Sequence, residues 1–350
     1  MKTQAYATHA ADQKLQPYSF ERRKCGAKDV AIDILYCGIC HSDIHTARSE
    51  WRPSFYPCVP GHEIVGIVRE VGNEVKDFRL GDRVGVGCLV GSCMQCNSCK
   101  EGLEQYCESG YVSTYNSILA DGDYTKGGYS THIVVDENFI LHIPENLDLA
   151  AAAPLLCAGI TTYSPLSHLN ISKGDKVAIL GLGGLGHMGV KIASALGAEV
   201  TVISHSPHKR EDALQLGADH FLLSSESEEF EKRQVYFDCI LDTVSAKHDL
   251  MQALSTIKRE GNLVMLGVSP DPLDLPVLPL ILKRRHVMGS LIGGISETQE
   301  MLNFCGKHDI VCDIEMITPD QINEAYERTL SSDVKYRFVI DCSKFSSCAK

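Results

Sequence analysis

Three Cys, three His, Asp43 and Glu63 fall within the 31-residue stretch YCGICHSDIHTARSEWRPSFYPCVPGHEIVG, residues 36–66, which is broken by Pro53, Pro57, Pro60 and Gly61. Thiols and imidazoles brought together by a turn-rich connection are donors that a zinc ion selects. Two pieces stand out: Cys40-His41-Ser42-Asp43-Ile44-His45 and Gly61-His62-Glu63. A second cluster follows in CMQCNSCKEGLEQYC, where Cys93, Cys96, Cys99 and Cys107 read C-x2-C-x2-C-x7-C. Four thiolates at such short spacings close a tetrahedral site with no open position. A metal there is expected to staple a loop that has little apolar sequence of its own.

A third chemical signal is GLGGLG, with Gly181, Gly183 and Gly186 at the fingerprint positions. Alone, G-x-G-x-x-G is weak. Here it leaves a short apolar strand, Lys176 to Leu180, and opens an apolar helix that a second strand, Glu199 to Ile203, follows. In that context the backbone of Gly181, Gly183, Gly184, Leu185 and Gly186 is expected to cradle a dinucleotide pyrophosphate at the helix N-terminus. A site for NAD places an acidic residue about 20 residues on, against the ribose 2′-OH. This chain has Ser204-His205-Ser206-Pro207-His208-Lys209-Arg210 there. Hydroxyls of Ser204 and Ser206 with the cations Lys209 and Arg210 suit a 2′-phosphate, so the expected cofactor is NADP.

The elements that must position these groups read as two kinds of sequence. Residues 1–150 are rich in short alternating strands, such as Asp29 to Tyr36 and Glu63 to Val71, punctuated by Gly. From Leu149 the composition turns Ala-rich, through LAAAAPLLCAGIT. Strands and helices then alternate, which implies a doubly wound parallel sheet of six strands over residues 151–288. Residues 289–350 add two helices and a last strand at Tyr336 to Asp341; with the sheet already complete, this tail is expected to return to the first domain. The fold class is therefore α/β, a β-rich domain plus a Rossmann domain.

The totals bound the rest. Net charge is −12 over 350 residues, which disfavours nucleic acid as a partner. No apolar run reaches the roughly 18 residues of a membrane helix, and no secretory leader is evident, so no membrane partner and a cytoplasmic location are expected. Fifteen Cys in such a chain point to metal ligation or buried thiols rather than disulfides.

With GICHSDIH, PGHEIVG, VGVG, the four-cysteine lobe, APLLCAGIT, GLGGLG, SLIGGI and YRFVID in view, the chain resembles the zinc-dependent medium-chain alcohol dehydrogenases over essentially its whole length. It is most similar to the cinnamyl alcohol dehydrogenase-type branch and its bacterial NADP-dependent aldehyde reductases. The resemblance implies a GroES-like catalytic domain, two zinc ions per chain, an alcohol or aldehyde substrate and a homodimer joined near Met288 to Ile292. It assigns the catalytic zinc to Cys40, His62 and Cys157, with Glu63 as an alternating ligand; spacing alone does not select Cys157. It makes Asp43 the partner of the other ring nitrogen of His62, Ser42 and His45 a proton relay, and His41 a pyrophosphate contact. It also places Trp51 near the substrate, against the plainer reading of a core aromatic. Two alternatives stay open at this point: an NAD-dependent polyol dehydrogenase, and a non-catalytic zinc- and NADPH-binding sensor.

Overall fold

The ten residues Asp29–Gly38 hold the first unit together, because seven of them are buried and none is exposed. In the computed structural model, which describes residues 1–347, this strand pairs antiparallel with Ile64–Val71 along one edge. Along the other edge it pairs with His132–Asp136 at its start and Arg337–Asp341 at its end. The resulting seven-stranded sheet runs Ile314–Ile317, Arg337–Asp341, Asp29–Gly38, Ile64–Val71, Arg83–Val86, Leu141–His142, with His132–Asp136 beside the central strand. The last strand of the chain thus joins the sheet of the first unit.

That unit comprises Met1–Cys157 and the chain from Gly293 onward; the other is Ala158–Ile292. The division falls later than composition places it, at 157/158 instead of 150/151 and at 292/293 instead of 288/289. The reason is packing. The Ala-rich turns Leu149–Ala152 and Ala153–Leu156 lie on strands Asp29–Gly38 and Ile64–Val71. Leu156 sits so close to Arg83–Val86 that a Cβ on Gly85 would meet its Cδ1 at 2.9 Å. Helix Ala158–His168 then begins the second unit and packs on Gly186–Ala195.

The second unit is an open sheet of six parallel strands, ordered His220–Leu223, Glu199–Ser204, Lys176–Leu180, Phe237–Asp242, Ile257–Met265, His286–Gly289. Strands buried on both faces read as unbroken apolar runs, which is why KVAIL and FDCILD lack clean alternation. Their core joins Ala178, Ile203, Phe237, Ile240, Leu254 and Leu263. Each large side chain fully buried there contributes about 1.5–3 kcal/mol. The order reverses between Lys176–Leu180 and Phe237–Asp242, the switch point at whose carboxyl edge ligands bind in such sheets. Among the described residues no single helix is long and apolar enough to cross a membrane.

Candidate active site and metal centres

Sheet register explains why two distant pieces of sequence meet. Cys37 on the central strand stands opposite Ile64 on its neighbour. Cys40 follows the first strand and His62-Glu63 precede the second, so both arrive at the same end of the sheet. Cys40 also caps helix His41–Ala47, and its amide donates to Asp43 Oδ2 at 2.9 Å. Cys157 ends the Ala-rich turn laid on these strands, and its Sγ stands 3.9 Å from that of Cys40. Donor atoms of Cys40, His62, Glu63 and Cys157 all lie within 4.8 Å of one another, and all four residues are buried.

The chemistry of this set fits a metal. His62 presents Nδ1 to Asp43 Oδ1 at 3.3 Å, whereas its Nε2 and Glu63 Oε2 are buried with no hydrogen-bond partner. Buried polar atoms without partners are costly, and a cation would satisfy both. Two thiolates on a tetrahedral zinc, with Zn–S about 2.3 Å, stand about 3.8 Å apart, close to the separation found. The Cys40 thiol is held well below its ordinary acidity range by the hydrogen bond from Cys157, with Arg337 and His62 adding positive charge. Burial pushes the Glu63 carboxyl up to about 8, against the pull of Arg337 and His62.

Several residues here escaped the sequence reading. Arg337 is 4% exposed and pairs with Glu63 Oε1. It was visible only as a charge inside an apolar strand, YRFVID, a position that demands a buried partner. Tyr129 donates to Asp43 Oδ2 at 3.1 Å, and Tyr326 donates to Tyr129 at 3.4 Å. Gly61, at φ +107°, lets Asp43 Oδ1 accept its amide at 3.0 Å; a Cβ there would strike Tyr129 at 2.7 Å. The Cys88 thiol donates to Leu156 O at 3.7 Å beside this centre, and Cys157 first, then the positive charge of His62, pull its pKa down to about 6.

Ser42 places its Oγ 3.6 Å from Cys40 Sγ. His45, one turn on, is held at Nδ1 by Glu50, and Trp51 stacks on its ring at 4.8 Å. Trp51 is 47% exposed, which sets aside the core-aromatic reading. His41 is exposed, its ring 6.3 Å from that of His45.

The four cysteines of the second cluster also converge. Cys93 and Cys99 sulfurs are 3.9 Å apart, and the amides of Cys96 and Cys93 donate to Cys93 and Cys107 sulfurs at 3.3 and 3.4 Å. N–H groups aimed at sulfur favour thiolates. The segment is not wholly loop, since Asn97–Lys100 and Glu104–Tyr106 each make a helical turn.

In the second unit, the glycine loop separates two requirements. A Cβ on Gly186 would meet Gly181 O at 2.2 Å, so the protein itself demands that glycine. A Cβ on Gly183 would meet no protein atom within 4 Å. Open space over a glycine at a helix N-terminus is the cradle a pyrophosphate fills. Gly183→Ala is therefore expected to leave the melting temperature unchanged and weaken dinucleotide binding by at least about tenfold, which fluorescence titration measures. Lys209 Nζ bonds Leu182 O of this loop at 2.8 Å, and Ser206 N donates to Ser204 Oγ at 3.2 Å. Arg210 lies over the Phe221 ring, 4.8 Å from its centroid.

Residues 26–145 match the family model for the alcohol dehydrogenase GroES-like domain, and residues 184–307 that for zinc-binding dehydrogenase. The chain is 57% identical to "NADP-dependent alcohol dehydrogenase C 1" of Mycolicibacterium smegmatis over 344 residues, 98% of this chain and 99% of that one. The chain belongs to the zinc-dependent medium-chain alcohol dehydrogenases. Among solved members, a cinnamyl alcohol dehydrogenase from Sorghum bicolor superposes with a TM-score of 0.94 at 45% identity, over 98% of each chain. CAD from Helicobacter pylori complexed with NADP(H) gives 0.92 at 45% identity, over 98% and 99%. These matches place the chain in the cinnamyl alcohol dehydrogenase-type branch of the family.

Proposed function

We propose that this dehydrogenase interconverts primary alcohols and aldehydes with NADP(H), and works chiefly as an aldehyde reductase. The observation that carries the reading is the buried set Cys40, His62 and Cys157, with His62 Nε2 turned to it and unpartnered. Two thiolates and an imidazole leave a fourth position open, as a catalytic zinc requires. Glu63 stands by as an alternating ligand. Zinc held there supplies Lewis acidity toward the alcohol or carbonyl oxygen. Asp43 fixes the tautomer of His62, keeping the proton on Nδ1 and the lone pair on Nε2. Ser42 takes the alcohol proton and His45 passes it toward solvent; Glu50 and Trp51 hold the imidazole in place for that transfer. In aldehyde reduction the same pair would return the proton, and NADPH, when bound, would supply the hydride chemistry.

NADP is favoured by the lack of a carboxylate after Ile203 and by the NADP dependence named for the 57%-identical relative. Ser204, Ser206 and Lys209 would hold the 2′-phosphate, with Arg210 beside them, and Gly181 to Gly186 the pyrophosphate. Cys93, Cys96, Cys99 and Cys107 hold the structural zinc. The fourteen described cysteines all lack a disulfide, which suits the cytoplasm.

A purified sample should contain two zinc ions per chain and oxidise NADPH with benzaldehyde, cinnamaldehyde or hexanal at far higher kcat/KM than NADH. No turnover at full zinc occupancy would refute the enzyme reading, and a preference for NADH would refute the cofactor reading.

A homodimer also belongs to this reading. Helix Val277–Lys283 exposes Val277, Leu278, Ile281 and Leu282, each at 59% or more, in the same unit as edge strand His286–Gly289. An apolar face and an open strand edge on one unit suit a twofold partner. Ile281→Glu is expected to turn the dimer into monomer in sedimentation velocity; a parent that sediments as monomer would dismiss the idea.

A further inference from the structure

Asp43 is fully buried and takes four donors. The Cys40 amide and the Tyr129 hydroxyl share Oδ2, at 2.9 and 3.1 Å. The Gly61 amide and His62 Nδ1 share Oδ1, at 3.0 and 3.3 Å. Two of the donors are backbone and fixed by the fold. Tyr129 is a side chain with no exposure, and its hydroxyl accepts in turn from Tyr326, which is 3% exposed on helix Ile322–Leu330. A pair of rings needed only for packing would be served by phenylalanine, since a buried hydroxyl costs free energy unless it is bonded. Here the hydroxyls form a chain that ends on the carboxylate behind His62.

We infer that Tyr129 and Tyr326 are positioning residues for the catalytic metal: they hold Asp43 so that its Oδ1 keeps His62 oriented, and they set how tightly the metal is retained. The inference rests on the metal site proposed above. Tyr129 occupies the lone pair on Oδ2 that would otherwise be left short of a donor in a buried site, and so keeps the carboxylate from turning toward other partners. Tyr326 polarises the Tyr129 hydroxyl and strengthens its donation, because hydrogen bonds in series reinforce one another in a low-dielectric interior. Burial holds both phenols far above their ordinary acidity range, so both remain protonated donors. Partners behind a metal-bound histidine are worth roughly 10–100-fold in metal affinity. Tyr326 lies 286 residues beyond Cys40 in the chain, in the segment after Gly293, so that segment helps to retain the metal.

The test is zinc release from the intact enzyme to 4-(2-pyridylazo)resorcinol, with the Cys40→Ser protein identifying the phase that belongs to the four-cysteine ion. In Tyr129→Phe the catalytic zinc should leave roughly 10–100-fold faster, and in Tyr326→Phe by a smaller factor in the same direction. The four-cysteine zinc and the melting temperature should match the parent, and the cobalt-substituted Tyr129→Phe protein should show shifted d–d bands. Unchanged release from Tyr129→Phe overturns the inference. So does faster release of both ions with a fall in melting temperature, the mark of a merely structural pair. A parent that releases only the four-cysteine zinc instead defeats the metal-site reading on which the inference stands.

Discussion

Cys40→Ser will lower kcat/KM for aldehyde reduction by at least about a thousandfold and reduce zinc from two ions to one, with the melting temperature nearly unchanged. The loss follows from the ligand set. Cys40 and Cys157 bring the two thiolates of the buried four-residue cluster, and a serine hydroxyl is neither deprotonated near neutral pH nor soft enough to replace one. Lewis-acid stabilisation of the reacting oxygen is worth several kcal/mol, and about 4 kcal/mol is a thousandfold in rate. The fold should survive because Cys40 is the N-cap of helix His41–Ala47, and serine is among the best residues at that position. Steady-state assays, metal analysis and calorimetry check the three parts. A variant with both zinc ions and parental turnover would show that Cys40 is not a ligand.

Arg337→Leu will destabilise the protein by about 3–5 kcal/mol, the usual cost of removing one partner of a buried ion pair. Glu63, fully buried, then keeps one oxygen without a partner and loses the cation on the other. The damage will depend on pH with a definite sign. Burial already raises the Glu63 carboxyl from 4.5 to about 8 while Arg337 opposes it, so removing Arg337 raises it further. A carboxyl whose folded-state value is raised contributes stability at acid pH that is lost as pH climbs from the unfolded value through the folded one. Parent and variant should therefore lose this contribution alike as pH rises from about 4.5, and the gap between them should widen above about 8, where the parent's carboxyl has ionised and the variant's has not. Adding Glu63→Gln should recover much of the loss, because it removes the uncompensated charge. Urea unfolding of the three proteins across that range measures this. A variant as stable as the parent at pH 8 would mean that Glu63 does not need Arg337.

Some of this protein was written in local sequence. Four cysteines within fifteen residues can converge only on one another, so the second cluster declares itself by spacing. The glycine loop is equally local, since strand, turn and helix follow one another without a gap, and alternating strands and helices sufficed for a six-stranded parallel sheet. The catalytic centre was legible only in part. Cys40, His62 and Glu63 lie in one stretch, but among fifteen cysteines nothing in the spacing selects Cys157, which only the family resemblance proposed. Tyr129 and Tyr326 gave no chemical signal at all, and Arg337 only that of a charge inside an apolar strand. They reach the centre because strand Arg337–Asp341 pairs with Asp29–Gly38, Val339 opposite Gly38, and because helix Ile322–Leu330 sets the Tyr326 hydroxyl on Tyr129. Local spacing settles which groups a turn can gather. Contacts between residues hundreds of positions apart depend on sheet register and on which side chains the core admits, so the pairing of Tyr129 with Asp43 and of Arg337 with Glu63 was decided by the tertiary structure alone.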